Sequence, residues 1–339
     1  MKIVLIILYF GKLPEWIGLF LKSCSHLNGK IDFLFFTDDD SLLELAVTAN
    51  VKRNIVSFEW MINYIASKGV GKLSSAYKLC DYRPLYSYIF QEYIEEYEYW
   101  GYCDIDTILG DIPSLLIKNN YTSYDRIGEK GHFTIYRNTQ EMRELFTKYI
   151  PSLPKYFDFR FVYKTTYPCH FDECGMNVLC KMNNIKYLEK NFALQTTIVH
   201  ELHLHTFRAK YPELFVYNKG HVYRYEKKEN SIIKEEYMYI HFQERKVMPV
   251  HQGCDDCFVI THLGFFPFDE TNVDDFFTQY GGFDSVEENQ LYMNKTTAIT
   301  RCNRKMKLRR EFKICGIKAV YNLYQRILSI FYLKRHNMF

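Results

Sequence analysis

Two acids one residue apart, Asp104 and Asp106, close the segment Trp100-Gly101-Tyr102-Cys103-Asp104-Ile105-Asp106. In an extended strand residues i and i+2 point to the same side. Both carboxylates therefore fall on one face, at a separation that one divalent cation can bridge. Their hard oxygens suit Mg²⁺ or Mn²⁺. Such an ion can also grip a pyrophosphate and neutralise the charge that develops as the pyrophosphate leaves. The aromatic, apolar approach to the pair favours this reading over a solvated loop with two ordinary acids. Two other clusters carry less. His200, His203 and His205 lie close together in the sequence but lack the H-E-x-x-H spacing of a helical zinc site. Cys254-Asp255-Asp256-Cys257 is a single C-x-x-C, which cannot fill a tetrahedral zinc site alone and reads as two thiols.

The elements that must position the acid pair are visible around it. Residues 2–9, unbroken apolar after Lys2, show the pattern of a strand buried on both faces. The run resembles a short export signal but continues into Gly11-Lys12-Leu13-Pro14 without a small-residue cleavage site. A helix follows to about His26, then a second buried strand, Ile31 to Phe36. This strand–helix–strand opening predicts a nucleotide-binding type of sheet. Ligands of such sheets bind beyond the carboxyl ends of the strands, which makes Tyr9, Phe10, Gly11, Thr37 and Asp38 the expected nucleotide edge. No G-x-G-x-x-G or Walker A motif follows either strand, so a dinucleotide or P-loop mode is not expected. Farther on, the sequence predicts a helix from Arg83-Pro84 to about Tyr97, the strand carrying the acid pair, a strand over 131–137, a helix from Phe171-Asp172-Glu173 through Lys181, and a late strand over 237–242. The expected class is α/β, with one catalytic domain over residues 1–300 and a helical extension over 301–339.

Charge divides along the same line. Residues 301–339 hold eleven Lys or Arg against one acid, whereas the preceding 300 residues carry a net charge of −7. An acidic body of this kind is a poor partner for nucleic acid. A helical pattern over 316–332 brings Ile317, Val320, Tyr321, Tyr324, Ile327, Leu328 and Phe331 to helical spacing beside Lys318 and Arg326. This is a basic amphipathic helix of the kind that rests on anionic membrane surfaces, unless the same apolar stripe packs it on the body. The ten cysteines show no framework spacing and read as reduced thiols of a cytoplasmic protein, peripheral on the inner face of the membrane if the tail binds there.

Asp81-Tyr82-Arg83 followed by a predicted helix, and then Tyr102-Cys103-Asp104-Ile105-Asp106, resembles the D-x-x-R … G-G-x-Y-x-D-x-D pattern of GT-A-fold glycosyltransferases. Among these it is similar to the families of glycogenin and of the bacterial capsule and lipopolysaccharide mannosyl- and galactosyltransferases. The resemblance covers residues 1–265. It departs in that Arg83 follows Asp81 by two residues, and Trp100-Gly101 stands for the paired glycines. It implies a GT-A-like mixed sheet flanked by helices. The implied reaction is retaining transfer of a sugar from a nucleotide diphosphate, with UDP expected, to a glycan or lipid-linked glycan acceptor, using Mn²⁺ or Mg²⁺. It further implies Asp81 on donor-sugar hydroxyls, with Arg83 or Lys78 facing the phosphates or sugar. As a residue alone, Asp81 serves equally as the N-cap of the helix at Pro84. His241 becomes the third metal ligand, the alternative being a core histidine bonded to backbone. The nearby Arg245 and Lys246 can meet the leaving diphosphate. Asp172 and Glu173 would orient the acceptor or act as base, the alternative being two acids favoured by a helix N-terminus. The rival readings are a nucleotidyltransferase making nucleotide sugars, which would need a Gly-rich basic loop after the first strand, and a non-catalytic glycan-binding protein.

Overall fold

The structure is a computed structural model. It describes the chain apart from residues 72, 167, 189–192, 197–202, 207–208, 230, 244–247, 282–289 and 337–339, and short gaps at 292–293, 296, 299–300, 303–304, 307–308, 310–311, 314–315 and 317. It is a mixed α/β protein, as the sequence predicts.

The main sheet is built from β1 (Ile3–Leu8), β2 (Ile31–Thr37), β3 (Val51–Ile55), β4 (Tyr99–Cys103), β6 (Arg126–Lys130), β7 (Phe133–Arg137) and β8 (Tyr187–Leu188), with β5 (Thr107–Leu109) set apart. The strand order is β3-β2-β1-β4-β7-β6-β8. The first four strands are parallel, and β7 runs antiparallel to both β4 and β6. The apolar runs of β1 and β2 follow from their central place, because each face of the sheet is covered. Val4, Ile6, Leu34 and Phe36 face one core with Met61 and Ile65 of the helix Phe58–Ser67. Ile3, Leu5, Ile7, Phe33 and Phe35 face the other with Phe20 and Leu21 of the helix Ile17–Ser25. Each such side chain contributes roughly 1.5–3 kcal/mol by leaving water. Gly101 lies in mid-β4, where a Cβ would stand 2.3 Å from the Thr134 carbonyl oxygen. The close approach of β4 and β7 therefore requires glycine.

Beyond residue 190 the strands are β9 (Ala193–Gln195), β10 (Glu213–Asn218), β11 (His221–Lys228), β12 (Ser231–Tyr237), β13 (Tyr239–His241), β14 (Cys257–Thr261) and β15 (Gly264–Pro267). They pair antiparallel except β9 with β13, which pair parallel. Five form a second sheet, β12-β11-β10-β14-β15, and β5-β13-β9 form a third. This second sheet was not expected. Its available signal was Lys219-Gly220, the two-residue turn between β10 and β11, where both residues adopt positive φ as hairpins favour.

The single helix expected from Pro84 to Tyr97 is instead a series of short turns, Ala76–Leu85, Tyr86–Ile89 and Gln91–Ile94. It breaks at Phe90, which is fully buried with its ring 4.9 Å from that of Phe36. Aromatic packing overrides helical continuity there. The C-terminal helix spans Lys318–Arg335 and lies on Phe157 and Val178 of the body.

Candidate metal centre and its cleft

β1 and β4 lie side by side, with Ile3 opposite Tyr99 and Ile6 opposite Tyr102. From β1 the chain runs on to β2 on the far side, so the connections diverge between β1 and β4. Open α/β sheets bind ligands at the carboxyl ends of strands beside such a point. A cleft of about 390 Å³ opens there, lined by Tyr9 and Phe10 after β1 and by Asp104, Ile105 and Asp106 after β4, with Tyr77, Arg83 and Tyr86 across from them.

The turn after β4 is fixed by the Asp104 N–H donating to the His132 carbonyl at 2.9 Å and the Thr107 hydroxyl donating to the Asp104 carbonyl at 2.7 Å. β5 then pairs antiparallel with β13, placing His241 opposite Thr107, and the Phe242 N–H donates to the Asp106 carbonyl at 3.2 Å. This pairing brings a residue from the far end of the chain to the acid pair. His241 Nε2 lies 3.3 Å from Asp106 Oδ2. One ligand-type atom from each of Asp104, Asp106 and His241 lies within 4.8 Å of the others, so the group can hold a metal ion. A donor set of two carboxylates and an imidazole fits a divalent ion, and the buried Nδ1 of His241 has no hydrogen-bond partner among the described residues.

The electrostatics follow from the crowding. Burial opposes charge on His241, but Asp106, by charge and hydrogen bond, holds it above the ordinary histidine value. Burial pushes the Asp104 carboxyl up, with Arg83 pulling it back and Asp106 adding to the rise. His132, stacked on His241, is driven well below its ordinary value by burial and by the neighbouring His241. Sequence reasoning missed it, as it missed Tyr77 and Tyr86 of the cleft, since a lone histidine at the start of a strand carries no motif.

Arg83 joins the metal-type group to the segment behind it. Its guanidinium pairs with Asp104, donates to Asp172 Oδ2 at 3.0 Å and donates to the Gly131 carbonyl at 2.7 Å. A Cβ at Gly131 would stand 2.3 Å from Asp172 Oδ2, so glycine is what allows this three-way contact. Asp172 lies in a π-helical turn, Phe171–Gly175, that enters the helix Met176–Met182. π-turns of this kind are frequent at functional sites. The buried Arg126 holds the turn from behind by donating to the Asp172 carbonyl at 3.2 Å.

Several expected contacts are corrected. Lys78 and Asp81 are 1% and 0% exposed and do not line the cleft. Lys78 Nζ pairs with Asp81 Oδ2 at 2.7 Å, and the two Asp81 oxygens accept the N–H groups of Cys169 and Phe171 at 2.8 and 2.9 Å. The pair anchors the chain entering the π-turn, so Asp81 has no oxygen directed at a sugar. Asp172 is 2% exposed, with one oxygen on Arg83 and the other accepting the Glu173 N–H, while Glu173 accepts the Gly131 N–H at 2.8 Å. Neither lines the cleft, and their hydrogen bonds tie the π-turn to Arg83 and Gly131. Thr37 is buried, its hydroxyl accepting the Asp39 N–H. Asp38 accepts the Gly11 N–H at 2.7 Å, which ties the loops after β1 and β2 together. Tyr9, Phe10, Arg83, Asp104 and Asp106 do converge on the cleft. Arg245, Lys246 and His200 lie outside the described residues. His203 lies against His262, ring centroids 4.1 Å apart, and among the described residues neither it nor His205 joins a metal-type group. Cys254 and Cys257 are free thiols.

A family model described as a family of unknown function, DUF6625, matches residues 5–269, and the chain belongs to that family. No curated protein and no solved structure matches it.

Proposed function

We propose that this DUF6625 member is a metal-dependent glycosyltransferase that moves a sugar from a nucleotide diphosphate, with UDP expected, to a hydroxyl of a glycan or lipid-linked glycan acceptor. The observation that carries the reading is the Asp104–Asp106–His241 group at the carboxyl end of β4, beside the aromatic end of β1. The donor set suits Mn²⁺, with Mg²⁺ the alternative. When bound, such an ion neutralises charge on a departing diphosphate.

The chain's own residues divide the remaining work. Asp104 and Asp106 supply hard oxygens, and His241 completes the set. Arg83 brings a fixed positive charge to the cleft, held by Asp172 and Gly131, where it can meet phosphate oxygens. Tyr9, Phe10 and Tyr77 offer ring faces to a base or a sugar. In the reaction the bond from the anomeric carbon to the diphosphate breaks, a bond to the acceptor oxygen forms, and the acceptor proton is released. With Asp172 and Glu173 engaged behind the cleft, no carboxylate among them is offered as an acceptor base, in keeping with the retention that the sequence resemblance implies.

The test is UDP release from a panel of UDP-sugars with Mn²⁺, with EDTA, and with Asp106→Asn. Release from one donor that requires both metal and Asp106 supports the reading. Absence of release together with absence of Mn²⁺-dependent UDP binding overturns it.

A further inference from the structure

The C-terminal helix packs on the body with the face that a soluble protein would turn to water. Its buried stripe is Ala319, Asn322, Gln325, Ser329 and Leu333, three of them polar. The opposite stripe is Val320, Tyr324, Ile327 and Phe331, between 41% and 66% exposed. These four positions recur at i, i+4, i+7 and i+11 and so form one continuous face. Tyr321 and Ile330 flank it, also exposed. The arrangement is fixed from beneath. Tyr332 meets Phe157, ring centroids 5.8 Å apart, and Lys181 Nζ donates to the His336 carbonyl at 3.2 Å. The helix therefore cannot bury its apolar stripe by rolling without losing these contacts. A contiguous exposed apolar face of this kind marks an interaction surface.

We propose that this face is a docking surface for an anionic lipid membrane, on which the helix lies parallel to the surface. The charge of the segment that carries it selects the partner. The last 39 residues hold eleven Lys or Arg against one acid, and Lys334 and Arg335 are exposed at the end of the apolar stripe. A second copy of the chain would bring two such basic segments together, and like charges would oppose that contact. An anionic headgroup layer satisfies the basic residues while the acyl boundary takes the aromatic and aliphatic side chains. Among the described residues no helix is long and apolar enough to cross a membrane, so the contact is a surface one. The inference stands on the helix alone and is independent of the reaction at the cleft.

The experiment is cosedimentation of the full chain with phosphatidylcholine vesicles and with vesicles carrying roughly one third phosphatidylglycerol. Variants are a quadruple Val320→Ser, Tyr324→Ser, Ile327→Ser, Phe331→Ser chain and a Lys334→Glu, Arg335→Glu chain, each checked by thermal melting. Binding is expected to the anionic vesicles alone, to weaken at high salt, and to fall about tenfold in each variant. The charge-reversal chain keeps the test decisive if the quadruple variant does not fold. Three results overturn the proposal: no binding to anionic vesicles, binding unchanged in both variants, or a native dimer that the quadruple variant converts to monomer.

Discussion

The imidazole of His132 lies flat against that of His241, ring centroids 4.1 Å apart and planes 18° from parallel. The stack helps fix the orientation of a ring whose own Nδ1 has no hydrogen bond among the described residues. Groups that orient a ligand matter to metal affinity nearly as much as the ligands do. His132→Ala is expected to weaken Mn²⁺ binding by about tenfold, and His132→Phe to retain most of it. Calorimetric titration measures both, and equal affinity of His132→Ala and the native chain counts against the stack's role.

Metal binding should register as stability. An ion that binds only the folded chain at about 100 times its dissociation constant contributes about 2.7 kcal/mol. The melting temperature should therefore rise on addition of Mn²⁺ and fall back with EDTA. Asp106→Asn and His241→Ala should melt at one temperature with and without the ion. A metal response that survives in both variants would remove these residues from the site.

The buried pair Lys78–Asp81 yields a test that separates anchoring from sugar binding. Removing one partner leaves a buried charge uncompensated and costs about 3–5 kcal/mol. Lys78→Met and Asp81→Asn should each lower the unfolding free energy from urea titration by an amount of that order, and the midpoint with it. Donor affinity per folded molecule should stay near the native value, because neither residue lines the cleft. A native-like midpoint with lost donor binding would restore the sugar contact expected for Asp81.

Asp172 gives the chain a pH-dependent stability of definite sign. Burial pushes its carboxyl up to about 8 against the pull of Arg83, whereas an unfolded aspartate titrates near about 3.9. Between those values the folded chain holds a proton that the unfolded chain lacks. The stability this group contributes is full below about pH 4 and is lost as pH rises through about 8. Asp172→Asn cannot titrate, so its stability relative to the native chain should grow from about pH 5 to about pH 9, by at most about 4 kcal/mol. Urea denaturation of metal-free protein at both pH values measures the change. A constant or shrinking difference contradicts the assignment.

The parallel half of the fold was legible because its cause is local. Buried parallel strands must be apolar along their whole length, and β1 and β2 are. The acid pair was legible because two side chains on one short segment need no tertiary information. What the sequence did not disclose is what depends on packing. Asp81 could cap a helix, meet a sugar or pair inside the core, and only the approach of the 162–171 segment decides for the core. The tail illustrates the same limit. Its periodicity revealed an apolar stripe but not which face the body covers, and the body covers the polar one.

The pairing of β5 with β13 has a consequence for when the site comes into being. Asp106 precedes β5, and its partner His241 ends a strand more than a hundred residues later. A ribosome that has delivered β4 and β5 has released both acids but no imidazole. The site is complete only once β13 has docked, and contacts between such distant positions form late because a long loop must close first. The growing chain would thus expose a two-acid half-site while the residues between Asp106 and His241 are added, and full metal affinity would report that β13 has been made and docked.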